Sequence, residues 1–417
     1  MISSNLNRSM ASTSKRTCIY CEQVRPFTDE HLFPKGLGGD DRRFMLKEMV
    51  CGHCNTVVFS KLEASFMRNS PVAIARIFMQ KIKGSGSDAV IPRFDIRSTT
   101  VMSPDHGEVE AEMQAEGVAV ILPQLLFLSG DKCAITGSDE SVVPSFLQKL
   151  RHHLGDAASL VQKVTSSDGA SFDVTTYGYQ GGEYIEEHSY IAPKPPSVCI
   201  WREHFPVIDH NQRPSRHPTL YRRSAGQIVL RSHQNSDIRH LLTVARAAIE
   251  AIEHAPPPKG SDIENPSMLF SLSMDMDAFG RVLTKIGLNL VAHSFGEGYI
   301  RHSAFDSTKA ALLGHAQNGV HYETSGSDAA LEMTFSGVPH GLHAMTLVAI
   351  PTSQNTCNVA LLLRLYGAIT YAVHLGTDAP PPPHSMPLFH VIDYNAHRIE
   401  ELSAIDFIRK YPPKRTA

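Results

Sequence analysis

Four cysteines near the N-terminus have the spacing of a metal site. They form two C-x-x-C pairs, Cys18 with Cys21 and Cys51 with Cys54, in a chain with seven cysteines. Four thiolates are the tetrahedral set that structural Zn²⁺ prefers, and four protein ligands leave no open position for a substrate. The spacing therefore predicts a structural zinc ion in a reducing compartment, with four unrelated core cysteines as the alternative.

A carboxylate and an imidazole lie side by side between these pairs, at Glu30 and His31 in the segment EHLFPKGLGG. A carboxylate can hold a divalent cation against a phosphate oxygen, and an adjacent imidazole can deprotonate the attacking water. This is the pair that metal-assisted phosphodiester hydrolysis requires. A Glu-His dipeptide alone is uninformative, so the prediction depends on its place inside a zinc-bound loop.

Two polar residues follow the second cysteine pair, at the start of a predicted helix. The amide of Asn55 can hold the backbone of the histidine-bearing strand or bind the metal, and the alternative is an ordinary helix N-cap. Glu63 lies slightly over two helical turns further on, about on the same helix face. It can offer a second oxygen ligand, and the alternative is a solvated helix carboxylate.

The order C-x-x-C, Glu-His-x-x-Pro, C-x-x-C-Asn and then an acidic residue resembles the HNH endonucleases of the ββα-metal superfamily, over residues 15–70. The resemblance implies a β-hairpin and a helix that grip one catalytic divalent ion, Mg²⁺, Mn²⁺ or Ni²⁺. It also implies that Glu30 is a metal ligand, that His31 is the general base, and that Asn55 positions this base. Glu63 stands where many family members carry a final His or Asn ligand, so it departs from the pattern, although a carboxylate can bind a hard cation.

Charge is unevenly distributed along the chain. Residues 1–85 contain 13 Lys and Arg against 7 Asp and Glu, whereas the remaining residues contain 26 and 35. A basic segment joined to an acidic body is typical of a local polyanion site. Basic side chains around the motif are expected to contact phosphates and to raise affinity without reading sequence. Those predicted to do so are Lys35, Arg42, Arg43, Lys47 and Lys61.

The elements that must position these residues make an α+β chain, with a ββα-metal module followed by a larger α+β region. Apolar periodicity predicts helices at 56–69, 72–81, 143–154, 239–254 and 276–294, and strands at 330–335, 344–350, 359–365, 368–375 and 388–392. The predicted divisions are a disordered tail at 1–16, the nuclease domain at 17–83, a linker at 84–88, an α+β middle region at 88–255 and an α+β C-terminal region at 261–417. The alternative is that one regulatory or targeting domain spans residues 88–417.

Together these features predict a metal-dependent endonuclease that hydrolyses DNA, with a C-terminal region that controls activation or target choice. One alternative is an anti-phage effector nuclease activated by a small molecule or nucleotide bound to that region. Another is a non-catalytic zinc-dependent protein that binds nucleic acid or uses zinc only as a staple. Because one such site cleaves one strand, double-strand cleavage requires a homodimer or sequential nicking. Without a secretory signal or a membrane-length apolar run, the expected location is cytoplasmic, with no membrane partner.

Overall fold

The fold is α+β, as the sequence predicts, in a computed structural model of the chain. The structure describes residues 16–40, 42–81, 96–114, 118–129, 131–166, 169–205, 216–254, 266–272, 274–316, 319–326, 328–383 and 388–414. Two predicted segments lie outside the described residues. They are the linker at 84–88 and the N-terminal tail at 1–16, apart from Arg16.

Helices and strands are numbered here in chain order. The helices are α1 Ser60–Arg68, α2 Pro71–Met79, α3 Val142–His153, α4 Ile238–Glu253, α5 Met276–Phe295, α6 Glu297–Ile300, α7 Asp306–Leu313, α8 Ala329–Thr334 and α9 Ala404–Lys410. The first strands are β1 Phe27–His31, β2 Met45–Cys51, β3 Ile96–Ser103, β4 Gly107–Met113, β5 Ala119–Ile121, β6 Gln124–Phe127, β7 Cys133–Thr136, β8 Ala157–Ser166, β9 Gly169–Gln180 and β10 Glu183–Ala192. The others are β11 Ile200–His204, β12 Thr219–Arg222, β13 Ile228–Ser232, β14 Met268–Leu272, β15 Tyr322–Thr324, β16 His343–Pro351, β17 Cys357–Arg364, β18 Thr370–Ala379, β19 Leu388–Asp393 and β20 Arg398–Ser403.

One compact unit combines both ends of the chain, Met1–Asp95 with Ser273–Ala417. It contains the β1–β2 hairpin and an antiparallel six-stranded sheet in the order β15-β18-β17-β16-β19-β20. Helix α5 packs against α1, β2 and strands β16 to β18, and a single apolar cluster joins Phe33 and Phe66 to Phe279 and Leu361. The N-terminal module therefore shares its core with the last third of the chain, although the sequence analysis divides the chain between these segments.

Helix α5 lies at the centre of this unit because it is apolar around nearly its whole circumference. Asp275 caps its N-terminus, with its side chain accepting a hydrogen bond from the Ala278 amide (2.9 Å), and every residue from Ala278 to Ala292 except Arg281 is buried. A buried helix of this kind requires a partner for each polar side chain that it carries. Three such side chains are buried on α5: Thr284, Lys285 and Asn289.

The second compact unit comprises Ile96–Leu272. It has an eight-stranded sheet in the order β10-β9-β8-β11-β13-β12-β6-β7, in which β11 runs parallel to β8 and β13, and a four-stranded antiparallel sheet in the order β14-β3-β4-β5. Helices α3 and α4 share an apolar cluster with the larger sheet, including Phe146, Ile200 and Leu242.

Most elements predicted from periodicity are confirmed, and one is wrong. The helices predicted at 143–154, 239–254 and 276–294 correspond to α3, α4 and α5. The run 330–335 was expected to be a strand but forms helix α8, because the Asp328 carboxylate accepts from the Ala330 amide (2.9 Å) and caps a helical turn. Among the described residues, no helix combines the length and apolar composition needed to cross a bilayer.

Candidate metal centre and catalytic site

The four predicted cysteine ligands converge on one point. Cys18 and Cys21 lie in a turn before β1. Cys51 ends β2, and Cys54 lies in the first turn of a π-helical segment, His53–Phe59, that leads into α1. All four Sγ atoms lie within 4.8 Å of one another, and those of Cys21 and Cys51 are 3.7 Å apart. A tetrahedral zinc ion with Zn–S bonds of about 2.3 Å holds its sulfurs about 3.8 Å apart, so this four-Cys cluster fits Zn²⁺.

The electrostatics of the four-Cys cluster favour a thiolate. The hydrogen bond between Cys54 and Cys18 lowers the pKa of the Cys18 thiol to about 4, and the same contact raises the pKa of Cys54. The Cys51 amide also donates to the Cys18 sulfur (3.4 Å). Because a thiolate is the form that binds metal, Cys18 is prepared for coordination.

The histidine-bearing strand contains a β-bulge. Strand β1 pairs antiparallel with β2, with Glu30 opposite Leu46, and the register shifts between Thr28 and Glu30. The Asn55 side-chain amide donates to the carbonyl oxygen of Asp29 (2.8 Å), within this irregularity, and to Thr28 Oγ1 (3.1 Å). Bulges re-aim side chains and occur often beside active sites. Asn55 was predicted to hold the backbone of this strand, to bind the metal or to cap the helix. Its hydrogen bond to the Asp29 carbonyl is the first of these roles.

The glycines after the Glu-His pair allow a tight turn. A short 3₁₀ helix at Lys35–Leu37 ends at Gly38, whose φ of 101° is in the left-handed region. A Cβ atom on Gly39 would lie 2.1 Å from the carbonyl oxygen of Phe33. Only glycine avoids this clash, so the turn requires glycine at Gly39 and favours it at Gly38.

The two carboxylates predicted to bind a divalent ion share a lysine instead. Glu30 is only 1% exposed, and its Oε1 atom forms an ion pair with the ammonium of Lys285 on α5. The same ammonium pairs with Glu63 Oε1 on α1. It also lies 5.5 Å from the centre of the Phe59 ring, within the range of a cation–π contact. We call Glu30, Lys285 and Glu63 the ion triad.

Burial and charge act in opposite directions within the ion triad. Burial raises the pKa of Glu30, and the nearby Lys285 ammonium opposes this shift only in part. For Lys285, burial lowers the pKa, but attraction to Glu30 and Glu63 outweighs burial, and the net shift is upward. Lys285 is therefore a charged ammonium at neutral pH, and it is the cation that the buried carboxylate of Glu30 requires.

A second polar residue of α5, Asn289, extends this contact one helical turn further. Its amide donates to the carbonyl oxygen of His31 (2.9 Å) and to Glu30 Oε1 (3.3 Å), and its side-chain oxygen accepts from the Tyr20 hydroxyl. The sequence analysis missed both Lys285 and Asn289. The available signal was a lysine and an asparagine four residues apart within a largely apolar helix.

A catalytic divalent ion does not fit the predicted ligands as they are arranged. The point between the Glu30 and Glu63 oxygens is the position of the Lys285 ammonium, and a second cation there would meet its positive charge at close range. Within the part of the chain that the structure describes, the four-Cys cluster alone brings together three or more His, Cys, Asp or Glu side chains in a geometry that can hold a metal ion.

The predicted phosphate-binding side chains are exposed. They lie on the turn after β1, in the loop before β2, on β2 and on α1, at Lys35, Arg42, Arg43, Lys47 and Lys61. Arg43 pairs with Glu401 (3.2 Å) and lies over the Phe44 ring. In contrast to these exposed cations, the side chain of His31 is half-buried. The module therefore presents several cations to solvent near the segments that flank the histidine.

Comparisons with protein-family models, curated proteins and solved structures give no match for this chain. The likeness to HNH endonucleases therefore depends on the residues of the motif itself. The structure adds that the four cysteines converge and that Asn55 and Asn289 bind the backbone on either side of Glu30.

Proposed function

We propose that the N-terminal segment is an HNH-type endonuclease that hydrolyses DNA phosphodiester bonds with His31 as the general base. The supporting observation is that the backbone around His31 is held from two directions. Asn55 binds the carbonyl of Asp29, and Asn289 binds the carbonyl of His31. A catalytic side chain is more effective on a rigid backbone, because the entropy lost in orienting it is lost on folding and not during the reaction.

The chemistry assigned to this chain is limited to its own residues. His31 accepts a proton from water while the water oxygen bonds to phosphorus. The bond from phosphorus to the leaving sugar oxygen breaks, and that oxygen takes a proton from a solvent water molecule. The exposed basic side chains offset the charge of the phosphates. A zinc ion bound by the four-Cys cluster would hold the hairpin and would leave no coordination position open to substrate. Lys285 occupies the position predicted for a divalent ion.

Cleavage of supercoiled plasmid by the full-length, zinc-loaded protein tests this proposal. We expect nicked or linear product, and a loss of about 100-fold or more in rate for His31→Ala, as for removal of a general base. His53→Ala is the matched control, since His53 is an exposed histidine inside the second C-x-x-C pair. Reactions contain Mg²⁺, Mn²⁺, Ni²⁺ or no added ion. Absence of cleavage in all four, or equal rates for wild type and His31→Ala, would contradict the proposal.

A second candidate function is nucleic-acid binding without catalysis, and one observation favours it. The carboxylate of Glu30 argues for a nuclease only if it faces a phosphate, yet it is buried and paired with Lys285. Fluorescence anisotropy with labelled duplex DNA, read beside the plasmid assay, distinguishes the two. Salt-dependent binding without cleavage supports the binder, and cleavage lost in His31→Ala excludes it.

A further inference from the structure

The ion triad joins two segments that are far apart in sequence. Glu30 and Glu63 belong to the N-terminal module, and Lys285 lies 222 positions after Glu63. Two carboxylates facing one another require a cation, and in metal-dependent sites that cation is a divalent ion. Here both carboxylates contact the same ammonium, so the protein supplies this charge itself.

We propose that Lys285 is a built-in cation that permanently replaces a divalent metal ion between Glu30 and Glu63. The triad then holds the N-terminal module on helix α5 and does not exchange with metal. The identity of the cation between the two carboxylates does not depend on whether the protein has nuclease activity.

Helix α5 has no route by which it could withdraw the lysine. All of its residues from Ala278 to Ala292 except Arg281 are buried, and Phe279 stacks on Phe66 of α1 with ring centres 5.6 Å apart. The start of the helix is tied to α1 as well, because Ser65 Oγ donates to the Asp275 carboxylate (3.1 Å). Moving Lys285 out of the triad would require opening the core of the unit, so a metal ion cannot enter by a local side-chain movement.

The remaining contacts of Glu30 fit an ammonium partner. Its Oε1 atom accepts from Lys285 and from the Asn289 amide, so that both donors come from one face of α5. A carboxylate that binds a metal ion offers lone pairs to the ion, whereas this oxygen is already occupied by N–H donors. The buried carboxylate is thereby satisfied without an ion from solution.

Metal binding by the full-length protein tests the proposal without reference to cleavage. Mn²⁺ is the probe, because it prefers carboxylate oxygens to thiolates and its free concentration is measured by electron paramagnetic resonance. In zinc-loaded wild type and in Glu30→Gln we expect the same Mn²⁺ binding, with no saturable site that depends on Glu30. A saturable Mn²⁺ site in wild type that is lost in Glu30→Gln would overturn the proposal.

Removing the lysine provides the converse test. In Lys285→Ala the two carboxylates lose their cation, and we expect a new saturable Mn²⁺ site and a melting temperature that rises when Mn²⁺ is added. Lys309→Ala is the matched control, since Lys309 is also a buried lysine, paired with the neighbouring Asp306 (2.9 Å), and should gain no such site. Equal Mn²⁺ responses of the two variants would overturn the proposal. If Lys285→Ala does not fold, the comparison of wild type with Glu30→Gln decides alone.

Discussion

The four-Cys cluster and the ion triad lie in the same compact unit and meet the same electrostatic demand in opposite ways. In the first, four sulfurs from two short motifs converge within 4.8 Å and bring no cation of their own. In the second, two carboxylates from the N-terminal module converge on an ammonium from α5. Residue spacing reveals groups that can bind a cation, but only the fold reveals whether the chain already provides one.

This difference predicts that the two clusters respond differently to the loss of one member. A metal cluster gains its stability from an ion in solution, so its contribution depends on ion supply. An ion triad contributes little relative to a neutral core of the same shape, but breaking it leaves an uncompensated buried charge.

The largest effect is expected at the four-Cys cluster. Cys54→Ser should abolish stoichiometric zinc binding and cause the greatest loss of stability, because structural zinc contributes on the order of 10 kcal/mol to small zinc domains. Zinc content by mass spectrometry and the free energy of unfolding in denaturant measure the two quantities. Cys357→Ser is the control, as this buried cysteine lies on β17 outside the cluster. Full zinc content in Cys54→Ser would show that the cluster is not the zinc site.

An intermediate effect is expected at Lys285. Lys285→Met is unbranched and one heavy atom shorter, and it leaves the buried Glu30 without its cation, which should cost about 3–5 kcal/mol of unfolding free energy. The double variant Glu30→Gln/Lys285→Met should be more stable than Lys285→Met, because it removes the uncompensated charge together with the cation. Denaturant unfolding of the four members of this cycle gives the coupling free energy. A coupling near zero would mean that the two residues do not form an energetic pair.

The sequence predicted those parts of the site whose residues lie close together in the chain. The four cysteines, the helix after them and the backbone contact of Asn55 follow from motifs that span fewer than 40 residues. The strand predicted at 330–335 failed on local information as well, because the capping role of Asp328 outweighed an apolar run. Capping residues and apolar periodicity compete over such short segments, and neither decides alone.

The ion triad was beyond reach because its information is not local. The apolar pattern of α5 predicts a core helix, and the helix is indeed in the core, but the pattern does not say what lies opposite Lys285 and Asn289. Their partners, Glu30 and the His31 carbonyl, are more than 250 residues earlier in the chain. A buried lysine and asparagine four residues apart indicate only that polar partners must exist.

The smallest effect is expected at the outer arm of the ion triad. The side chain of Glu63 is 25% exposed and that of Glu30 is 2% exposed, although both contact the same ammonium. Water screens the Glu63 contact, so Glu63→Gln should cost about 1 kcal/mol or less, as for exposed pairs, and less than Glu30→Gln. Denaturant unfolding of both single variants measures this order. Equal losses would indicate that the two arms are equally desolvated, whereas a larger loss at Glu63 would place the main charge contact on α1 and not on the histidine-bearing strand.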